Sequence, residues 1–229
     1  MAVSVLMYHQ VGPFPVPPKL ASNFCHVAQF ARQMRWLKRL PFAVLPLHAL
    51  ANGLPHQRAV VLTFDDGYYN FYEHALPILH AWQLPATVFV CPDLVGKRAE
   101  WLRSHGVAPA PLMTAEQLRE LGAVGVEVGA HSCSHTLLTE LPPHRLRYEI
   151  ADCKAKLEDL LGAPVFSFCY PFGKFNTRVV AAVAEAGYRL AVTTRKRKIR
   201  RLAHPLLLPR LTVSYHHSLA AFWLKLPWL

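Results

Sequence analysis

The sequence predicts an α/β fold in which short buried strands alternate with amphipathic helices. Three observations carry that expectation. Apolar runs of strand length, at 3–7, 60–64, 87–91 and 126–129, are separated by segments with helical spacing. No internal repeat or low-complexity tract interrupts the alternation, so it reads as one domain over 1–229. Hydrophobic residues make up 52% of the chain and charged residues 17%, which supplies a core and argues against disorder.

The elements follow in order. Residues 3–7 form a first strand, and 13–18 a proline-rich loop expected near the mouth of the fold. Phe30, Met34 and Leu37 give 27–40 helical spacing. Residues 42–45 and 60–64 read as strands, and 72–82 as a helix that Pro77 either kinks or starts. After the strand at 87–91, Thr114 with Gln117 forms a capping-box pattern that opens a helix to about 121. A short strand at 126–129 precedes a long helix over 142–161, with Gly162 as its stop. Further strands are expected at 165–170, 190–194 and 211–214, with a helix at 179–186.

Two segments carry chemistry. Thr63-Phe64-Asp65-Asp66-Gly67 ends a buried strand with two adjacent carboxylates. Neighbouring strand residues point to opposite faces, so both can share one site only if the chain turns there, and Gly67 permits the turn. His131-Ser132-Cys133-Ser134-His135 offers two imidazoles four positions apart. Asp66, His131 and His135 together would ligate a divalent cation, leaving Asp65 beside it to accept a proton from water. Zinc is the expected ion, and cobalt, nickel or manganese suit the same donors. Cys133 is a rival ligand by position but is expected only to pack nearby.

These residues resemble the motifs of the polysaccharide deacetylases of carbohydrate esterase family four, the NodB-homology fold. Thr63 to Gly67 looks like the family's first motif and His131 to His135 like its second. Phe168-Cys169-Tyr170-Pro171-Phe172-Gly173 resembles the third, and the segments 84–90 and 208–211 are similar to two further stretches. Met7-Tyr8-His9-Gln10-Val11 is similar to the opening of the biofilm-type branch, which deacetylates poly-N-acetylglucosamine. The resemblance runs from Met1 to about Val213. It implies a distorted (β/α) barrel of about seven strands with the site at their carboxyl ends. It also implies hydrolysis of the N-acetyl group of an amino sugar, with Asp66, His131 and His135 on the metal and Asp65 as base. The Phe172 backbone N–H would help stabilise the oxyanion, and Tyr170 and Phe172 would lie near the ligand. His9 is the expected general acid, with His204, His216 and His217 as C-terminal rivals. The arginine that often begins the third motif is replaced by Cys169, so Arg210, or less readily Lys174, is expected to supply the cation that orients Asp65.

Charge and cysteines bound the setting. The net charge is +11, with a dense run at 195–201, which favours anionic partners; no nucleic-acid motif accompanies it. The tail 219–229 is apolar, with two tryptophans and one lysine. It reads either as a closing helix packed on the barrel or as a peripheral contact with anionic lipid. Five scattered cysteines read as reduced thiols, and the amino terminus lacks a basic leader, so a cytoplasmic protein is expected, peripheral at the inner membrane face if the tail binds lipid. The expected partner is an N-acetylated glycan or glycolipid. The alternatives are a deformylase or other amidase acting on a sugar-lipid, and a non-catalytic glycan-binding protein on the same scaffold.

Overall fold

The computed structural model describes residues 2–14 and 18–228, so part of the proline-rich loop expected at 13–18 lies outside the described residues. In chain order the strands are β1 (Val3–Tyr8), β2 (Gln10–Gly12), β3 (Phe24–His26), β4 (Ala43–Leu45), β5 (Ala59–Phe64), β6 (Ala86–Val90), β7 (Val126–Ala130), β8 (Ser167–Cys169), β9 (Leu190–Val192) and β10 (Leu211–Thr212). The α-helices are α1 (Val27–Lys38), α2 (Leu76–Ala81), α3 (Ala115–Ala123), α4 (Pro143–Arg147), α5 (Cys153–Leu161), α6 (Thr177–Glu185) and α7 (Leu219–Lys225).

Seven strands form one path in the order β10, β1, β5, β6, β7, β8, β9, and an eighth, β4, joins it on β5. Every pairing along this path is parallel. Because β1 pairs with all of β5, β4 and β6 must share the opposite edge. β4 takes Ala59 to Val61 there, and β6 takes Thr63 and Phe64. The sheet curls into a half-barrel surrounded by helices, and a single parallel bridge from Val192 to Leu208 links β9 to the chain entering β10. Since all carboxyl ends lie on one rim, whatever follows β1, β5, β7, β8 and β9 meets there.

Alternation along the strands divides the core. Val3, Val5, Ala59, Val61, Phe89, Cys169, Leu190 and Val192 pack with Ile199 in one buried cluster. Leu6, Tyr8, Val60, Leu62, Phe64 and Phe168 pack in the other, with residues of the helices such as Phe30, Met34 and Leu118. Both faces of the central strands β1, β5 and β6 are therefore buried, as continuous apolar runs require.

Most helices follow their sequence signals. The Thr114 hydroxyl accepts from the Gln117 N–H, and the Gln117 side chain accepts from the Thr114 N–H, which completes the capping box. Gly162 takes φ 65° and stops the long helix. Two helices differ in detail. The one expected over 72–82 begins with a π turn, Phe71–Ala75, and becomes regular at α2, where Pro77 stands in the first turn and needs no hydrogen-bond partner. The one over 142–161 contains a second π turn, Tyr148–Asp152, between α4 and α5. The last three strands are shorter than expected, and the small parallel pair β2–β3 has no clear sequence signal.

Candidate active site

Asp65 and Asp66 follow directly on β5. The Asp65 N–H continues the ladder by donating to the Tyr8 carbonyl at 3.0 Å. Asp66 then takes φ 74° and Gly67 φ 69°, two successive left-handed residues that swing both carboxylates to one side of the rim. Among the described residues, five that are not glycine have positive φ, and four of them lie here: Asp66, Ser132, His135 and Phe172. Such concentration of costly backbone marks a constrained site.

The imidazoles arrive from the loop after β7. The His131 N–H donates to the Val90 carbonyl at 2.9 Å, and the His135 N–H donates to the Ser132 hydroxyl at 3.0 Å. Glu149, fully buried on the π turn, accepts from both the N–H and the hydroxyl of Ser134, at 2.9 and 2.7 Å. This anchors the loop between the two histidines. The Trp101 ring stacks on His135 at 4.7 Å, and the Phe172 ring meets it edge-on at 4.8 Å.

Asp66, His131 and His135 converge. Each imidazole Nε2 lies 3.3 Å from Asp66 Oδ1, a buried oxygen with no hydrogen-bond donor. The Nδ1 of His131 lies 2.8 Å from the Cys169 carbonyl, which can only accept, so that nitrogen carries the hydrogen. When the ring is neutral, as a metal ligand must be, its Nε2 lone pair therefore faces the carboxylate. Lone pairs aimed at one another across a buried space fit a shared cation, and the three ligand atoms all lie within 4.8 Å of one another. A second trio, Asp65, His131 and Cys169, is equally compact. It suits a metal less well, because Asp65 is already neutralised and burial pushes the Cys169 thiol up, away from thiolate.

The neutralising group is Arg210. Its Nη1 and Nη2 donate to the two oxygens of Asp65 at 2.6 and 2.7 Å. Its other hydrogens go to Thr63 Oγ1 at 3.1 Å, Cys169 Sγ at 3.2 Å and the Thr193 carbonyl at 3.0 Å, so all five guanidinium donors are used. Arg210 is 1% exposed, which removes the surface reading of this residue. Lys174 is exposed, so the cation facing Asp65 is Arg210. Burial would raise the Asp65 pKa, but the charge and hydrogen bonds of Arg210 hold it below the usual carboxylate range.

His9, just past β1, places Nε2 3.8 Å from Asp65 Oδ2, with 14% of its side chain exposed. Burial pushes its pKa below the ordinary histidine value, against the pull of Asp65 and Asp66. The C-terminal rivals lie elsewhere: His204 and His216 are exposed, and His217 caps the Ser214 N–H. Cys133 is buried with its thiol on the Tyr148 carbonyl and takes no part in the cluster.

Tyr170 requires a correction. Expected beside the ligand, its ring is buried and its hydroxyl donates to the Leu206 carbonyl at 3.0 Å. The strand pleat explains this: Cys169 points inward to Asp65, so Phe168 and Tyr170 point outward under the helices. Phe172, 56% exposed at φ 58°, does stand at the mouth. Sequence reasoning missed Glu149 and Trp101. The signal for Glu149 was an acid on an otherwise apolar helical stripe with Leu146, Ile150 and Cys153. Trp101 lies in a short 3₁₀ helix, Glu100–His105, too brief for periodicity to point to it.

A curled parallel sheet with paired carboxylates and two imidazoles on its carboxyl rim defines a hydrolase site of the NodB-homology type. Residues 52–191 match the polysaccharide deacetylase family, and the chain belongs to it. YxkH of Bacillus subtilis is 27% identical over 226 residues, covering 95% of this chain and 74% of its own. The poly-beta-1,6-N-acetyl-D-glucosamine N-deacetylase of Staphylococcus aureus is 23% identical over 202 residues, 82% of this chain and 67% of its own. Among solved structures, the Streptococcus pyogenes deacetylase PplD superposes with a TM-score of 0.81 at 26% identity, covering 99% of this chain and 98% of that one. His9 and Arg210 both fall outside the span matched to the family.

Proposed function

We propose that this protein removes N-acetyl groups from amino sugars of a polysaccharide or lipid-linked glycan, releasing acetate and leaving a free amine. The observation that carries the reading is the side-by-side placement of a convergent Asp66–His131–His135 trio and a separately held Asp65. Membership of the polysaccharide deacetylase family supports the bond cleaved, and the Staphylococcus relative's name supports an amino-sugar polymer.

Asp66, His131 and His135 would hold one divalent cation, zinc by default, whose charge polarises the acetamide and acidifies water. Asp65 accepts a proton from the attacking water, with Arg210 keeping its carboxylate ionised and aimed. The water oxygen bonds to the acetyl carbon, and the Phe172 backbone N–H donates to the oxygen that gains charge. The carbon–nitrogen bond then breaks, and His9 gives the leaving nitrogen its proton. Asp65 Oδ2 is 3.8 Å from His9 Nε2, so relay of the captured proton needs the two groups to close or a water to bridge them.

The intact site favours catalysis over glycan binding alone. Five buried, unpaired cysteines support a reducing, cytoplasmic setting, and the basic surface supports peripheral placement at the inner membrane face. The test is acetate release from a panel of N-acetylhexosamine oligomers and glycolipids, with chelator-treated protein and the Asp65→Asn and His9→Ala variants as controls. Turnover should appear with the untreated protein and fall at least 100-fold in both variants. Absence of acetate from every substrate, with metal bound, would leave the glycan-binding reading in its place.

A further inference from the structure

The tail helix resolves into two faces. Phe222 and Leu226 are buried in the core, whereas Leu219, Trp223 and Leu224 are exposed, Leu224 by 75%. The exposed side faces α1, where Trp36 is 44% exposed and meets Trp223 edge-on at 6.4 Å. Between the two helices runs a groove of about 480 Å³, lined by Trp36, Leu40, Leu219, Trp223 and Leu224 among others, and almost wholly apolar.

The segments that build this patch carry charge of one sign, although Glu73 is exposed on the π turn that packs against α1. The first acidic residue of the chain is Asp65 and the last is Glu185, so neither α1 nor α7 nor the loops that flank them contain any. Arg32, Arg35, Lys38 and Arg39 are exposed on and just after α1. Partial burial, with the nearby charge of Lys196 from the basic run, holds the ammonium of Lys225 at the end of α7 below the ordinary lysine value. Nine of the 25 Lys and Arg residues, and none of the 14 Asp and Glu, lie beyond Glu185.

We propose that the α1–α7 face docks on an anionic phospholipid bilayer, with Trp36, Trp223 and Leu224 entering the interface and the surrounding arginines and lysines engaging the headgroups. The chemistry selects this occupant. Tryptophan and leucine beside a cationic rim match the interfacial boundary, where rings and acyl chains meet phosphate. A second copy on the same patch would bring one cationic rim against another, which repel. No helix among the described residues is long and apolar enough to cross a membrane, so the contact is peripheral.

The face also has a direction. Helix α1 runs from β3, beside the carboxyl end of β1, to the loop before β4, which pairs with the first half of β5. Trp36 and Leu40 thus lie toward the amino-terminal ends of the strands, opposite the catalytic rim. A docked barrel turns its mouth to the aqueous side. This deepens the peripheral placement proposed above and does not depend on the deacetylase reading.

The test is co-sedimentation of the full chain with vesicles of phosphatidylcholine alone or with about 30% phosphatidylglycerol. Wild type should pellet with the anionic vesicles and stay in solution with the neutral ones. Leu224→Glu and the double variant Arg35→Glu/Lys38→Glu, all at exposed positions, should each cut pelleting at least fivefold with unchanged melting temperature. Equal pelleting with both vesicle types, no pelleting at all, or unimpaired pelleting by both variants would overturn the proposal. So would a dimer in sedimentation velocity that Leu224→Glu dissociates. Acetate release from a soluble oligomer, measured without vesicles, reads the catalytic proposal separately; its persistence when anionic vesicles are added supports the outward mouth, and its loss overturns that orientation.

Discussion

Arg210 grips both oxygens of Asp65 from 145 residues away in sequence, at 2.6 and 2.7 Å. The pair is buried, so its two charges depend on each other. Arg210→Ala leaves a carboxylate uncompensated in a dry site. It should lower kcat/KM for acetate release by at least 100-fold and destabilise the fold by about 3–5 kcal/mol, read by urea unfolding. Arg210→Lys should recover part of the stability and little of the rate, because one ammonium cannot hold both oxygens. A near-normal rate in either variant would remove Arg210 from the site.

The two aspartates should separate in their effects. Asp66→Asn should lose bound metal, measured by elemental analysis after dialysis, together with turnover. Asp65→Asn should keep the metal and lose the rate by about 10²–10⁴. Metal-stripped wild type should regain activity on adding zinc, whereas neither variant should. Retention of full metal occupancy by Asp66→Asn would refute the assignment of ligands.

Glu149 touches no proposed ligand atom, yet it braces Ser134 between the two histidines. Glu149→Ala should weaken metal affinity about 10–100-fold, the usual cost of removing an outer support, with kcat at saturating metal changed much less. A titration with a competing chelator separates the two quantities.

Lys156 bonds both Asp93 and the Tyr148 hydroxyl, at 2.5 and 2.7 Å. Burial would raise the Asp93 pKa, but these bonds hold it below the ordinary value, while the bonds to Asp93 and Tyr148 raise that of Lys156. A lowered carboxylate stabilises above its unfolded pKa near 4 and loses that contribution as pH falls through the folded value; a raised ammonium stabilises below its unfolded value near 10 and loses it above. The tie is partly exposed, so Lys156→Met should cost only about 0.5–1 kcal/mol. That difference from wild type should be flat between about pH 5 and 9 and shrink in acid. Urea midpoints across the range check it; a difference that grows below about pH 4 would contradict the sign.

Much of the site was legible because its signals are local. A doublet of acids at a strand's end, a glycine after it and two histidines four apart each lie within a few residues, and the Thr114–Gln117 cap likewise. What resisted reading depends on distant pairing. Arg210 was reached only through the family resemblance and the vacancy at Cys169; nothing near it says that β10 lies beside β1, which is what delivers it to Asp65. Tyr170 was misplaced for a related reason: which face of a three-residue strand points inward is set by its neighbours, and a motif spanning both faces hides the alternation. The two π turns follow no periodic signal, although one of them presents Glu149.

The pairing of β1 with β10 has a consequence for how the protein is made. Residues from opposite ends of the polypeptide, His9 and Arg210, flank the same carboxylate. On the ribosome, β1 can pair with β5 long before its other neighbour, β10, is synthesised. A product ending before residue 210 would carry all three family motifs intact and still lack the counter-charge of Asp65. Synthesis through β10 is thus the step that brings the counter-charge to Asp65.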